Sequence, residues 1–266
     1  MEDSHLSFHI LGSGSSGNSY LFDVGKWSFL VDNGFGLKDW ESRVDSINYD
    51  PRRIKMCFLT HTHGDHYKGI GPLIRKYNIP LLVHEDIAVK VSQDLPEGRV
   101  FSLSHDRSYK KDGLQFSAIK LNHDSPGTIG FMFQYGSSAL ALVSDTGELP
   151  LEQMSLLNQI QILLIEANYC PDLLEVGPYP DFLKRRIAGT RGHLSNQQAI
   201  DIVNQIGSAN TKLEYVYFCH LSDSNNTFEA LQKAIDNDMA WNGDYTICRK
   251  GVTYKGNTIG EVCLGG

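Results

Sequence analysis

Short apolar runs rich in β-branched and aromatic residues recur along the chain, and their order limits the folds open to it. Residues 7–11, 19–24 and 27–32 read as strands, with Gly25-Lys26 turning the last pair. Residues 56–61 and 80–84 follow, separated by a segment that sets Ile70, Leu73, Ile74 and Tyr77 on one helical face. Residues 114–121, 128–135 and 139–145 read as three successive strands, and Gly136-Ser137 turns the second pair. Residues 162–167 and 215–220 are continuous apolar runs, as expected of strands buried on both faces. Ser195 with Gln198, and Asn226 with Glu229, form two capping boxes that predict helix starts. The stretch 169–182, with three prolines, is the least regular, and the tail 245–254 is expected to add a hairpin across Lys250-Gly251. No repeat or linker interrupts this order. It predicts one α/β domain over residues 1–266, with packed sheets covered by helices.

Composition excludes several classes. With 41% hydrophobic and 21% charged residues, the chain is neither disordered, collagenous nor a coiled coil. Its 24 Lys and Arg against 31 Asp and Glu, a net charge of −7, argue against a general basic wrapper of nucleic acid. The five cysteines show no Cys-x-x-Cys spacing, so neither a disulfide framework nor a zinc ribbon is expected. No signal peptide and no membrane span are read, which makes the cytoplasm the expected compartment.

Ten histidines, several beside aspartate, turn attention to metal chemistry. His61-Thr62-His63-Gly64-Asp65-His66 follows an apolar strand directly. Residues two apart in an extended segment point to the same side, so His61 and His63 can share one cation. Gly64 lets the chain turn, so that Asp65 and His66 can face a second one, about 3.5–4 Å away in two-metal hydrolytic sites. Imidazole with carboxylate suits Zn, Mn or Fe better than Ca or Mg. His5, His9, His84 and His105 match no motif.

This motif resembles the His-x-His-x-Asp-His signature of the metallo-β-lactamase-fold hydrolases. Three further stretches make the chain similar to the YycJ/WalJ-like group of bacterial 5′-to-3′ DNA exonucleases. They are Gly12-Ser13-Gly14-Ser15-Ser16-Gly17-Asn18, Arg191-Gly192-His193-Leu194-Ser195-Asn196, and His220-Leu221-Ser222 through Asn225-Asn226. The resemblance implies a four-layer αββα sandwich and two divalent metal ions, zinc before manganese or iron. One metal would take His61, His63 and His123, the other Asp65, His66 and His220, with Asp145 spanning both. Asp65 is expected to serve catalysis as well as ligation. Asp32 matches an aspartate that buttresses the histidine loop, since a metal-bound imidazole generally gives its other N–H to such a partner.

Phosphodiester hydrolysis is the implied reaction. A hydroxide bridging the metals would attack phosphorus, coordination having brought the water's pKa from about 16 towards 7. His193, oriented by Glu166, would protonate the leaving oxygen. DNA or another phosphodiester is the expected substrate, with no membrane and no obligate protein partner. Phosphate contacts are expected from Ser15, Ser16 and Asn18 in the glycine-rich loop, from Arg185 and Arg186 in the one basic cluster near the motifs, and from Ser222 and Asn225. A small-molecule phosphodiesterase, acting on cyclic nucleotides or phosphonate-pathway esters, is the alternative. Only 74 residues lie between Asp145 and His220, too few for the large insertion of β-CASP nucleases. A thioester or lactam hydrolase is disfavoured by the Glu166–His193 pair.

Overall fold

The computed structural model describes residues 5–105, 107–258 and 263–264. Strands β1 (Leu6–Gly12), β2 (Ser19–Val24), β3 (Trp27–Val31), β4 (Ile54–Phe58), β5 (Leu81–His84) and β6 (Val100–Leu103) lie side by side in that order. Strands β7 (Ser108–Lys111), β8 (Leu114–Lys120), β9 (Ile129–Tyr135), β10 (Ser138–Val143), β11 (Ile162–Glu166), β12 (Tyr215–Cys219) and β13 (Asp244–Ile247) form a second sheet, again in chain order. Each sheet is built the same way. Antiparallel strands come first, and β3 to β6 and β10 to β13 are then parallel.

The chain then returns to the first sheet. Strands β14 (Tyr254–Asn257) and β15 (Cys263–Leu264) pair antiparallel at the β1 edge. The expected tail hairpin is therefore corrected: β13 and β14 belong to different sheets, and β1 offers a free antiparallel edge that the parallel edge of the second sheet does not. The stretch expected to be irregular contains two short helices, Pro171–Val176 and Asp181–Ile187, each opened by proline at or just before its first turn.

Three apolar layers define the sandwich. The inner faces of both sheets meet in a core that includes Phe8, Phe22, Phe29, Phe58, Phe116, Phe131, Phe133 and Leu164. The outer face of the first sheet packs on helices Leu37–Ser46, Ile70–Tyr77 and Glu85–Ser92 through Trp40, Leu73, Ile74 and Ile87. The outer face of the second packs on Asn196–Ala209 and Phe228–Asp238 through Ile200, Val203, Leu231 and Ile235. Helix, sheet, sheet and helix are thus stacked in four layers, as the resemblance implies. The Ser195 capping box forms as read from sequence. The second start is one residue later than expected: Thr227 caps the helix by accepting from Ala230 N at 3.0 Å. The Asn226 amide is instead spent on Ala167 O and Asn196.

Phe58 sits at the hub of the inner core, its ring centroid 4.9–5.4 Å from those of Phe29, Phe116, Phe131 and Phe133. Phe58→Ala is expected to cost about 3–5 kcal/mol, from lost burial plus the cavity left behind, measured by urea unfolding.

Candidate metal centre

Parallel strands aim their carboxyl ends at one edge, and the functional side chains lie at or just beyond those ends. Asp32 follows β3, His61 and His63 follow β4, Asp145 follows β10, Glu166 closes β11 and His220 follows β12. Asp32, Asp145 and His220 take left-handed backbone conformations, with φ of 59°, 61° and 54°. Such residues cost about 1–2 kcal/mol each, so neighbouring bonds must hold them there. Asp32 N donates to Phe58 O at 2.9 Å, and His220 N donates to Ser13 Oγ at 2.7 Å. Gly34 lets the loop after β3 press on the histidine loop, since a Cβ there would lie 1.9 Å from Asp65 O.

Asp32 organises the histidines from below. It is fully buried and accepts from Thr60 N and Thr60 Oγ1, each at 2.8 Å, and from His66 Nδ1 at 2.7 Å. The Thr60 hydroxyl, having given its proton to Asp32, accepts from His61 Nδ1 at 3.0 Å. His61 Nε2 is thereby left bare, buried and without a hydrogen-bond partner. His66 Nε2, across the ring from the Nδ1 that meets Asp32, lies 3.1 Å from Asp145 Oδ2 and 3.0 Å from Asn18 Nδ2. His123 gives Nδ1–H to Gly192 O at 2.8 Å, which leaves its Nε2 3.3 Å from His63 Nδ1. Buried lone pairs pointed at one another need positive charge between them.

The donor set fits divalent cations. Ligand atoms of His61, His63 and His123 gather within 4.8 Å of one another, as do those of Asp65, His66 and His220, and those of His61, His66 and Asp145. Ligand atoms of Asp145, Glu166, His193 and His220 form a fourth such group, so the donors are continuous with the acid–histidine pair. Nitrogen with carboxylate oxygen is the chemistry of Zn, Mn or Fe sites. Electrostatics agree. Burial alone would strip His66 of its proton, yet Asp145 and Asp32 outweigh burial and push its imidazole up to about 10. His220 is likewise held well above the usual imidazole range, with Asp145 overcoming burial. Burial and the adjacent His66 drive His61 far down. Carboxylates that attract protons to these rings attract a cation equally, and cation binding displaces the protons.

Glu166 and His193 form a second unit beside the first. Glu166 Oε1 accepts from Thr146 N at 2.6 Å, and Oε2 lies 3.0 Å from His193 Nδ1. Burial works against charge on both, but the His193 imidazolium holds the Glu166 carboxyl below its ordinary value and Glu166 raises His193 above its own. His193 lines a cleft of about 210 Å³, along with His63, Asp65, His123, Asp145 and His220.

Of the expected phosphate contacts, Ser15, Arg186, Ser222 and Asn225 line this cleft. Ser16 and Arg185 are exposed and lie outside its lining. Asn18 is corrected. Its amide is committed beneath the site, with Oδ1 accepting from Gly14 N at 2.8 Å and Nδ2 donating to Gly14 O at 3.1 Å and lying 3.0 Å from His66 Nε2. Arg191 braces the site by donating to His123 O at 3.2 Å. Thr60 and Asp124 were missed in the sequence. Asp124 Oδ1 stands 3.4 Å from both His63 and His123 nitrogens, and Oδ2 pairs with Arg186 at 2.5 Å. Its place next to His123 was the available signal.

A family model described as the β-lactamase superfamily domain matches residues 28–220. The chain belongs to this family. It is 29% identical over 248 residues to the exodeoxyribonuclease WalJ of Streptococcus pneumoniae, covering 90% of each chain. It is 27% identical over 233 residues to the exodeoxyribonuclease YycJ of Bacillus anthracis, covering 86% of this chain and 88% of that one. Among solved structures, the metallo-β-lactamase-fold protein YhfI of Bacillus subtilis superposes with a TM-score of 0.73 at 18% identity, over 96% of this chain and 100% of the other. Family membership and the convergent donor set together make this chain a metal-dependent hydrolase of the metallo-β-lactamase fold.

Asp32→Asn places an N–H where His66 Nδ1–H and the Thr60 hydroxyl now donate. Cation affinity is expected to fall 10–100-fold with the fold retained, measured by competition with a chromophoric chelator.

Proposed function

We propose that the protein is a dinuclear phosphodiester hydrolase acting on DNA as a 5′-to-3′ exonuclease in the cytoplasm. The observation that carries the reading is the Glu166–His193 pair set against the donor cluster, with His193 Nδ1 3.0 Å from Glu166 Oε2 and 3.6 Å from Asp145 Oδ1. His61, His63 and His123 would hold one cation and Asp65, His66 and His220 the other, with Asp145 between. Zinc is the first choice of metal, manganese or iron the next. Two such cations would supply a water of lowered pKa and neutralise the charge growing on phosphate.

The chain's own groups do the rest. Glu166 fixes the His193 ring through Nδ1, so Nε2 is free to give a proton to the departing oxygen, which otherwise leaves as an unstable alkoxide. Ser15, Ser222 and Asn225 supply neutral polar groups for phosphate oxygens, and Arg186 supplies charge at the cleft wall. Asp65 joins catalysis as ligand and as the carboxylate 3.3 Å from His220 Nε2. Cys57, Cys170, Cys219 and Cys248 are free thiols, in keeping with a reducing compartment. Among the described residues no helix is long and apolar enough to cross a membrane. Similarity to two exodeoxyribonucleases over most of the chain supports DNA as substrate. The small volume of the cleft also suits a low-molecular-weight phosphodiester, the second reading.

Metal analysis followed by incubation with 5′-phosphorylated DNA, RNA and bis(p-nitrophenyl) phosphate separates these readings. Degradation of DNA from its 5′ end is expected, and cleavage of the small ester alone would favour the second. His61→Ala is expected to lose metal and turnover together. His193→Ala is expected to keep its metal while turnover falls about 10²–10⁴-fold; wild-type turnover in that variant would remove His193 from the mechanism.

A further inference from the structure

Helix Asp181–Ile187, which walls the cleft through Leu183, Arg186 and Ile187, is joined to the donor cluster at two points. One link runs through the backbone. His193 N donates to Ile187 O at 2.9 Å, and Gly192, whose carbonyl takes the His123 Nδ1 proton, lies so near the helix end that a Cβ would stand 2.3 Å from Arg186 O. The other link runs through side chains: Arg186 Nε donates to Asp124 Oδ2, and Asp124 Oδ1 reaches back to the histidines.

Asp124 stands beside the donor groups without joining them. Among the described residues its oxygens belong to none of the sets that converge within 4.8 Å. His63 Nδ1 is the nitrogen that meets His123 Nε2, at 3.3 Å, so Nε2 is the one left over, and it lies 3.4 Å from Asp124 Oδ1. Oδ1 is itself buried and lacks a hydrogen-bond partner. An imidazole that gives Nδ1 to a cation carries its proton on Nε2, and that proton needs an acceptor. A buried carboxylate oxygen needs a donor just as much. Each supplies what the other lacks.

We propose that Asp124 is a positioning residue that couples the cation of His61, His63 and His123 to the substrate phosphate. Oδ1 takes the His63 Nε2 proton and so fixes Nδ1 as the ligand atom, while Oδ2 holds Arg186 by Nε and leaves its terminal N–H groups for phosphate oxygens. This rests on the proposed phosphodiester reading and adds to it one residue that serves metal and substrate together. Arginine presents its donors in a rigid planar fork, so a single bond at Nε sets the plane of the whole group. Arg186 is exposed at the cleft, and holding it in advance lowers the entropy lost when phosphate arrives. The Asp124 charge also lies between the guanidinium and the cation, two groups that would otherwise repel.

The test uses the full-length protein, and its first arm needs no turnover. Zinc affinity is read by competition with a chromophoric chelator that resolves the two equivalents. Asp124→Ala is expected to weaken one equivalent about 10–100-fold and to leave the other as in the wild type. Asp124→Asn, which keeps the shape and removes the charge, is expected to weaken the same equivalent and serves if the alanine variant is less stable to urea. Arg186→Ala is expected to leave both equivalents unchanged, since it touches no ligand. The second arm measures KM for bis(p-nitrophenyl) phosphate at saturating zinc. Arg186→Ala is expected to raise KM about 10-fold, and to change it less than about 3-fold when Asp124 is already alanine. Wild-type zinc affinity in both Asp124 variants, or KM effects that simply add, would overturn the coupling. A wild type that binds zinc yet hydrolyses no phosphodiester would overturn the phosphodiester reading instead, and the zinc arm would still judge the bond from His63 to Asp124.

Discussion

Asp32 is a carboxylate with no exposure to solvent, and the order of the metal centre depends on the three hydrogen bonds it accepts. A buried charge of this kind is tolerated only when its oxygens are satisfied. Its partners, Thr60 and His66, bracket the histidine motif, so satisfying Asp32 fixes both ends of that loop. Through His66 it acts directly; through the Thr60 hydroxyl it also sets the His61 tautomer. Both rings are left presenting Nε2 to the same space. Asp32 thus positions nitrogen lone pairs from a place where no cation reaches it.

The sheets turn this local order into a site. In each one the parallel half ends on the edge where Asp32, Asp145 and His220 take left-handed conformations, and each such residue is a bend that stops the strand. Packing the sheets face to face through Phe29, Phe58, Phe131 and Phe133 brings the two edges into register, so ligands from β4 meet those from β10 and β12. Energy stored in the bends is set against this core, which gives the site its rigidity. The cleft wall from Tyr179 to Ile187 lies outside that core and is fastened instead by Lys184, Arg186 and the close approach of Gly177.

Much of this was legible in advance because the physics is local. Strand-end position marked His61, His63, Asp145, Glu166 and His220, since an apolar run that stops on a titratable residue leaves it at the sheet's rim. Asn18 was misread because a glycine-rich loop offers donors, and nothing in the loop reveals that the amide is already bonded to Gly14 and set against His66. Thr60 was passed over because its hydroxyl matters only through Asp32, 28 residues away in sequence. The tail was misassigned because two nearby strands with a turn between them look like a hairpin wherever their true partners lie.

The sequence by itself determined the donor chemistry of the centre: four donors in six residues, a nitrogen and carboxylate set suited to divalent cations, and an acid and a histidine beyond that set. Ligand type and strand-end position follow from residue identity and short-range periodicity. Tertiary structure alone decided how closely donors from distant strands approach one another and which amides are spent on bracing. Those are outcomes of packing between residues far apart in the chain, and no local pattern carries them.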